Sequence, residues 1–242
     1  MPALYRLRHR LAREAHWWRL PRRWGITLFT IPLGGAVLLG ITALRPPLYL
    51  ALVREDSLLE WAQVAAYLGA TGFAACTAYR LGHVDERAYA TFFALFACCC
   101  LFAAGEEISW GQRLFEIGTP RELASINGQG ELNVHNVVEA QGKFNLALAT
   151  ISLYAMVAPY TARRPSLLIP PAALSAAFLV PFTYMVCRMV FFPHPGYELA
   201  KYSEWPELCF AGALAVYALL NWRRAMRRRY FRPRTSRPVP SS

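Results

Sequence analysis

Six apolar blocks, each close to the length that crosses a bilayer, leave this chain few ways to fold. A spanning helix needs about 20 mostly apolar residues. The blocks fall at about 26–44, 59–79, 89–110, 131–160, 172–192 and 206–222. In the third and fourth the apolar run itself is shorter (89–104 and 144–160), and the helix is expected to continue into its polar flank. Hydrocarbon offers the backbone no hydrogen-bond partners, so such blocks fold as helices. The expected class is an all-α polytopic membrane protein with six transmembrane helices. Pro170 and Pro171 set the start of the fifth span near Ala172, and Pro181 predicts a kink within it.

Charge gives the expected orientation. The net charge is +11, which in a soluble chain would point to nucleic acid. Here Arg and Lys flank the apolar blocks, so membrane lipids and not nucleic acid are the expected partners. With a cytoplasmic N-terminus, the inner segments 1–25, 80–88, 161–166 and 223–242 hold 19 Arg and Lys against three acids. The outer segments 45–60, 105–143 and 193–207 hold 6 against 12. The positive-inside rule then places both termini in the cytoplasm of a bacterial-type inner (plasma) membrane. Three regions follow: a basic amphipathic inner-surface segment (1–25), a six-helix domain (26–222) and a basic, disordered tail (223–242). In the first, Leu4, Leu7, Leu11, Ala15 and Trp18 recur at helical spacing. The six cysteines all sit in apolar stretches and read as small hydrophobes. Trp61, Trp110 and Trp205 have the placement of interface anchors.

The acids concentrate in polar clusters at the outer helix ends. In "REDSLLEWAQ", Ser57 and Glu60 have capping-box spacing, while Glu60, Gln63 and Tyr67 share one helix face. That face is costly in lipid unless it turns to the bundle interior. In "GEEISWGQR", Glu106 and Glu107 point about 100° apart on a helix, so only one is expected to face inward. Glu106, Ser109 and Arg113 then form one stripe, and Glu107 and Trp110 another. "NGQGELNVHN" reads as loop through Gly130 and as helix from about Glu131, which would align Glu131, His135 and Glu139. "TPRELASI" reads as a short surface helix beside it. Arg188 lies within the fifth span on the face of Tyr184 and is expected to pair with Glu60, Glu106 or Glu107.

These residues define the candidate site. Glu106 or Glu107 and Glu131 would supply acid/base or metal-ligand groups, because neighbouring buried carboxylates divide acid and base roles. His135 would be a base or ligand, and Arg188 would hold a carboxylate or substrate phosphate. Glu60, Gln63, Arg113, Gln129, Asn133, Tyr184 and Glu204 complete the polar set. A divalent metal would draw on His135, Glu107, Glu131 and His194, although no ligand spacing is diagnostic. The general layout resembles that of the alkaline ceramidase-like membrane hydrolases, but the late HxxxH of that superfamily is missing. The leading expectation is a hydrolase or transferase acting on a lipid or lipid-linked substrate. The alternatives are a proton- or cation-coupled transporter and a non-catalytic membrane partner.

Overall fold

The computed structural model describes residues 2–54, 56–128, 130–192, 196 and 200–227. Gln129, His194 and residues 228–242 of the basic tail lie outside the described residues, as do the side chains of Arg113 and Glu139. Among the described residues the chain is all helical, with no strand and a single isolated bridge between Asn127 and Val137. The helices are α1 (Pro2–Trp18), α2 (Arg22–Thr42), α3 (Pro46–Val53), α4 (Leu58–Gly82), α5 (Arg87–Glu107), α6 (Gln112–Phe115), α7 (Arg121–Ile126), α8 (Val138–Thr161), α9 (Ser175–Val190) and α10 (Glu204–Arg227). Four stretches are long and apolar enough to cross a membrane: α2, α5, Ala140–Thr161 of α8, and Ala172–Val190.

The long helices pack as an open arc. α4 lies between α5 and α10, α10 continues to α9, and α9 packs on α8; α2 covers α9 and α10 from outside. α4 and α10 are not among the four most apolar stretches, and the packing explains why. They occupy the middle of the arc and bury Glu60, Gln63, Thr77, Glu204 and Asn221 against their neighbours. A helix shielded by protein can carry polar side chains that a lipid-facing helix cannot. Beneath these groups the core is close-packed and apolar, with Ala70, Ala74, Phe93, Phe178, Ala211 and Ala218 almost inaccessible.

Helix ends differ from the sequence expectation, and α10 runs on to Arg227, past the expected end at 222 and into the segment expected as tail. α8 starts at Val138 and not near Glu131, because residues 127–137 are held as a loop by their own asparagines. α5 ends at Glu107, short of residue 110, because three successive residues (Ser109, Trp110, Gly111) take positive φ. The short α3 between the first two blocks was not anticipated. It starts with Pro46 and Pro47 in its first turn and buries Tyr49 and Val53 under Leu39. α7 falls where a short surface helix was expected, and α9 passes through the buried Pro181 as one helix.

α1 is helical as its spacing predicts, and its C-terminal end is clamped to the bundle. The Arg224 guanidinium stacks 3.5 Å over the Trp17 ring and donates to the Trp17 carbonyl. Trp18 is buried edge-on against Tyr217. Glu14 is buried too and accepts the Ala172 N–H, and burial pushes its carboxyl up to about 7.

α2 is fixed from the other end of the molecule. The Trp205 indole N–H donates to the Pro32 carbonyl (2.9 Å), and the Tyr202 hydroxyl donates to that of Ala36 (2.7 Å). Trp205 is therefore a helix-to-helix contact. Its ring lies flat on Gly35, where a Cβ would sit 1.8 Å from the indole. Gly35→Ala is expected to push Trp205 out and to destabilise the α2–α10 contact by about 1–3 kcal/mol, the usual cost of overpacking. The check is the thermal midpoint in detergent, and a midpoint equal to wild type would contradict this packing.

Candidate functional site

The site begins with the turn that ends α5. Ser109 (φ 46), Trp110 (φ 54) and Gly111 (φ 79) all lie in the left-handed region. For Ser and Trp that conformation is costly, about 1–3 kcal/mol each, and persists only where surrounding contacts hold it. Here it swings Trp110 back along α5. The indole passes over Gly105, where a Cβ would lie 2.9 Å from the ring, and its N–H donates to Glu106 Oε1 at 2.7 Å. Trp110 thus shares Glu106's side of the helix, contrary to the stripe expected for a continuous helix. The motif becomes legible in this turn: Gly105 makes room for Trp110, and Gly111 takes the third positive φ.

The loop 127–137 folds onto that turn. Glu106 Oε2 accepts the backbone N–H groups of Val134 (2.7 Å) and His135 (2.9 Å), and His135 Nδ1 lies 3.4 Å from the same oxygen. Ser109 donates to Glu131 Oε2 at 2.6 Å. Asn133, almost fully buried, donates to both Ser109 Oγ and Glu131 Oε2, and its Oδ1 accepts from Asn127 and from the Asn136 N–H. Gln112 accepts the Leu132 N–H, while Thr119 donates to the Gly130 carbonyl. The two arms of the loop meet where the Gly128 N–H donates to the Asn136 carbonyl. Backbone polar groups need partners wherever water is excluded. The amides of "NGQGELNVHN" meet that need locally, which is why the segment does not become helix.

Under this roof lies a cavity of ≈ 390 Å³. It is built at one end of the bundle, from the N-terminal ends of α4, α8 and α10 and the C-terminal ends of α5 and α9. Glu60, Glu106, Glu107, Glu131, Glu204 and Glu207 all line it, with Asn133, His135, Arg188 and Lys201. The structure therefore brings together most of the residues singled out above. Both Glu106 and Glu107 reach it, contrary to the expectation that only one would. The cavity wraps around the end of α5, so side chains 100° apart reach different walls. Glu106 meets the loop, whereas Glu107 lies among Glu60, Glu106, Glu204 and Glu207.

The other groups have defined surroundings. Ser57 accepts the Glu60 N–H, and Glu60 Oε2 accepts the Asp56 N–H, so Glu60 caps α4 and lines the cavity at once. Gln63 sits one turn deeper and donates to the Glu204 carbonyl and carboxylate. Lys201 lies 3.8 Å from Glu204, and Arg188 acts on Glu207 and Tyr184. Tyr184 donates to the Ala200 carbonyl and faces a neighbouring apolar recess, outside the carboxylate cavity. Sequence reasoning missed Gln141 and Asn145 of α8, which line the cavity beside Phe144 and Leu148. Their signal was a polar pair at i, i+4 at the start of the helix.

Among the described residues no three His, Cys, Asp or Glu side chains are grouped tightly enough to hold an ion, so Glu107, Glu131 and His135 do not form such a group. His194 lies outside the described residues. No known protein family, no characterised protein sequence and no solved structure matches this chain.

Asn133 carries the most roof contacts. Asn133→Ala removes one hydrogen bond each from Ser109, Glu131, Asn127 and the Asn136 N–H, at about 0.5–1.5 kcal/mol per bond. The variant is expected to melt several degrees lower and to be cut by protease within 127–137 faster than wild type. Unchanged cleavage there would contradict the network.

Proposed function

We propose that this chain is an integral inner-membrane protein of six spans, with both termini cytoplasmic. Its acid-rich cavity opens at the extracytoplasmic face and works as a hydrolase or transferase on a lipid or lipid-linked substrate. The observation that carries the reading is the composition of one cavity. Glu107, His135 and Arg188 share it, while Phe102, Ala103, Phe144, Leu148 and Met185 form its apolar part. A site lined this way suits a molecule that is polar at one end and hydrocarbon at the other. The orientation is supported by charge: the cavity gathers the acids at one end of the bundle, whereas Arg80, Arg224 and Arg227 occupy the last turns of α4 and α10 at the other.

The hydrogen bonds divide the carboxylates by role. Glu106 has both oxygens engaged by Trp110 and the loop amides, so it holds the roof. Glu131 is held by Ser109 and Asn133. Glu107, among other carboxylates and within the same cavity as His135, is the group placed for proton transfer. Carboxylates in one cavity can divide acid and base duties between them. Arg188 would bind the developing or resident negative charge of the substrate. Coupled transport is the weaker reading, because the core below the cavity is closed by Ala70, Ala74, Phe93 and Phe178.

The test has two parts. A lipid-profile comparison of cells with and without the gene identifies the substrate class. Glu107→Gln and His135→Ala should then each lower turnover of that lipid by about 10²-fold or more, the usual worth of an acid–base group. Membrane insertion should be normal in both. An unchanged lipid profile, or wild-type turnover in both variants, would refute the enzyme reading.

A further inference from the structure

The helix arc has a gap. α5 packs on α4, and α8 packs on α9, yet α5 and α8 meet at most marginally. They form the two ends of the arc, and the cavity lies between them. Phe102 and Ala103 line it from α5; Phe144 and Leu148 line it from α8. On α8 Gln141, Phe144, Asn145 and Leu148 follow one another along one helical stripe, so this wall carries polar and apolar side chains side by side. On α5, Ala103 lies one turn, about 6 Å, below Glu107. Outside the gap the same two helices expose Leu95, Leu101, Leu146 and Ile151, the surface expected of spans that face hydrocarbon. Gly128, Asn133 and Asn136 of the loop line the cavity from the roof side, and the described residues place no helix between α5 and α8.

From this geometry we infer that the gap between α5 and α8 is a lateral opening to the bilayer, occupied by one hydrocarbon chain of a membrane lipid whose head lies among the carboxylates. The inference rests on the reading of the cavity as a lipid site and adds how the lipid reaches it. The continuity of the wall argues for this occupant. Phe102, Ala103, Phe144 and Leu148 are contiguous with Glu107, so a molecule touching both must be hydrocarbon at one end and polar at the other. Six carboxylates against Arg188 and Lys201 favour a head that carries an amine. The lipid needs no transfer through water, since the opening lies within the apolar stretches of α5 and α8.

The experiment uses the full chain in phosphatidylethanolamine/phosphatidylglycerol vesicles containing phosphatidylethanolamine with a diazirine on one acyl chain. After illumination, cross-linked peptides are mapped by mass spectrometry. Labelling is expected to concentrate on 99–107 and 141–151 over the exposed faces of α2 by about fivefold or more. Ala103→Trp and, separately, Leu148→Trp fill the gap and should abolish that excess. Leu95→Trp, on the exposed face of α5 away from the cavity, leaves the gap open and should retain it within about twofold. Even labelling of all lipid-facing helices, or an excess untouched by both gap-filling variants, overturns the lateral opening. The two readings fail separately. Loss of turnover in Glu107→Gln without concentrated labelling removes the opening and spares the enzyme. Concentrated, Trp-sensitive labelling with wild-type turnover in Glu107→Gln removes the enzyme and spares the opening.

Discussion

The Glu106 carboxylate is the point on which the polar end of the molecule depends. One oxygen accepts the Trp110 indole and the other accepts two consecutive backbone amides, Val134 and His135. Hydrogen bonds to an ionised acceptor are roughly twice as strong as neutral ones. This anchor joins the left-handed turn at Ser109–Gly111 to the loop, beside the bonds that Ser109, Gln112 and Asn133 supply. The presentation of His135 follows from it. A glutamate at a helix C-terminus opposes the helix dipole. In this chain it gains backbone donors in return, so an unfavourable position becomes a structural one.

The second dependence is between shielding and polarity. α2 and α5 are apolar over most of their length, whereas α4 and α10 turn Glu60, Gln63 and Glu204 inward at the cavity end. Gln63 reaches from α4 to Glu204 of α10, which locks the two central helices beside the cavity. The cavity is therefore a product of helix order: α4 and α10, in the middle of the arc, bring Glu60, Glu204 and Glu207 beside Glu106 and Glu107 from the end of α5. The ends of the arc remain unpaired, and the apolar part of the cavity lies between them.

Much of this was legible in the sequence, and for physical reasons. Apolar run length and helical period located the helices, because lipid and packed core impose both. The polar face Glu60–Gln63–Tyr67 announced an inward-facing stripe, and the collected acids announced a shared site. Failures came where side chains bond backbone over a distance. Nothing local says that Glu106 will accept the amides of Val134 and His135, 28 and 29 residues away. Without those bonds the stretch from Glu131 looks like a helix start, and Trp110 looks like a free anchor. Side chains 100° apart on a helix point to different places, which is why only one of Glu106 and Glu107 is expected to face inward. A cavity that wraps around the helix end takes both.

The central claim is that Glu106 holds the roof in place, and amide hydrogen exchange at Val134 and His135 tests it most directly. Exchange at these amides reports local opening of the loop. Both should be protected in the wild-type protein and should exchange at least about tenfold faster in Glu106→Ala, while amides in the middle of α5 keep their protection. Unprotected amides in wild type, or protection that survives Glu106→Ala, would contradict the account.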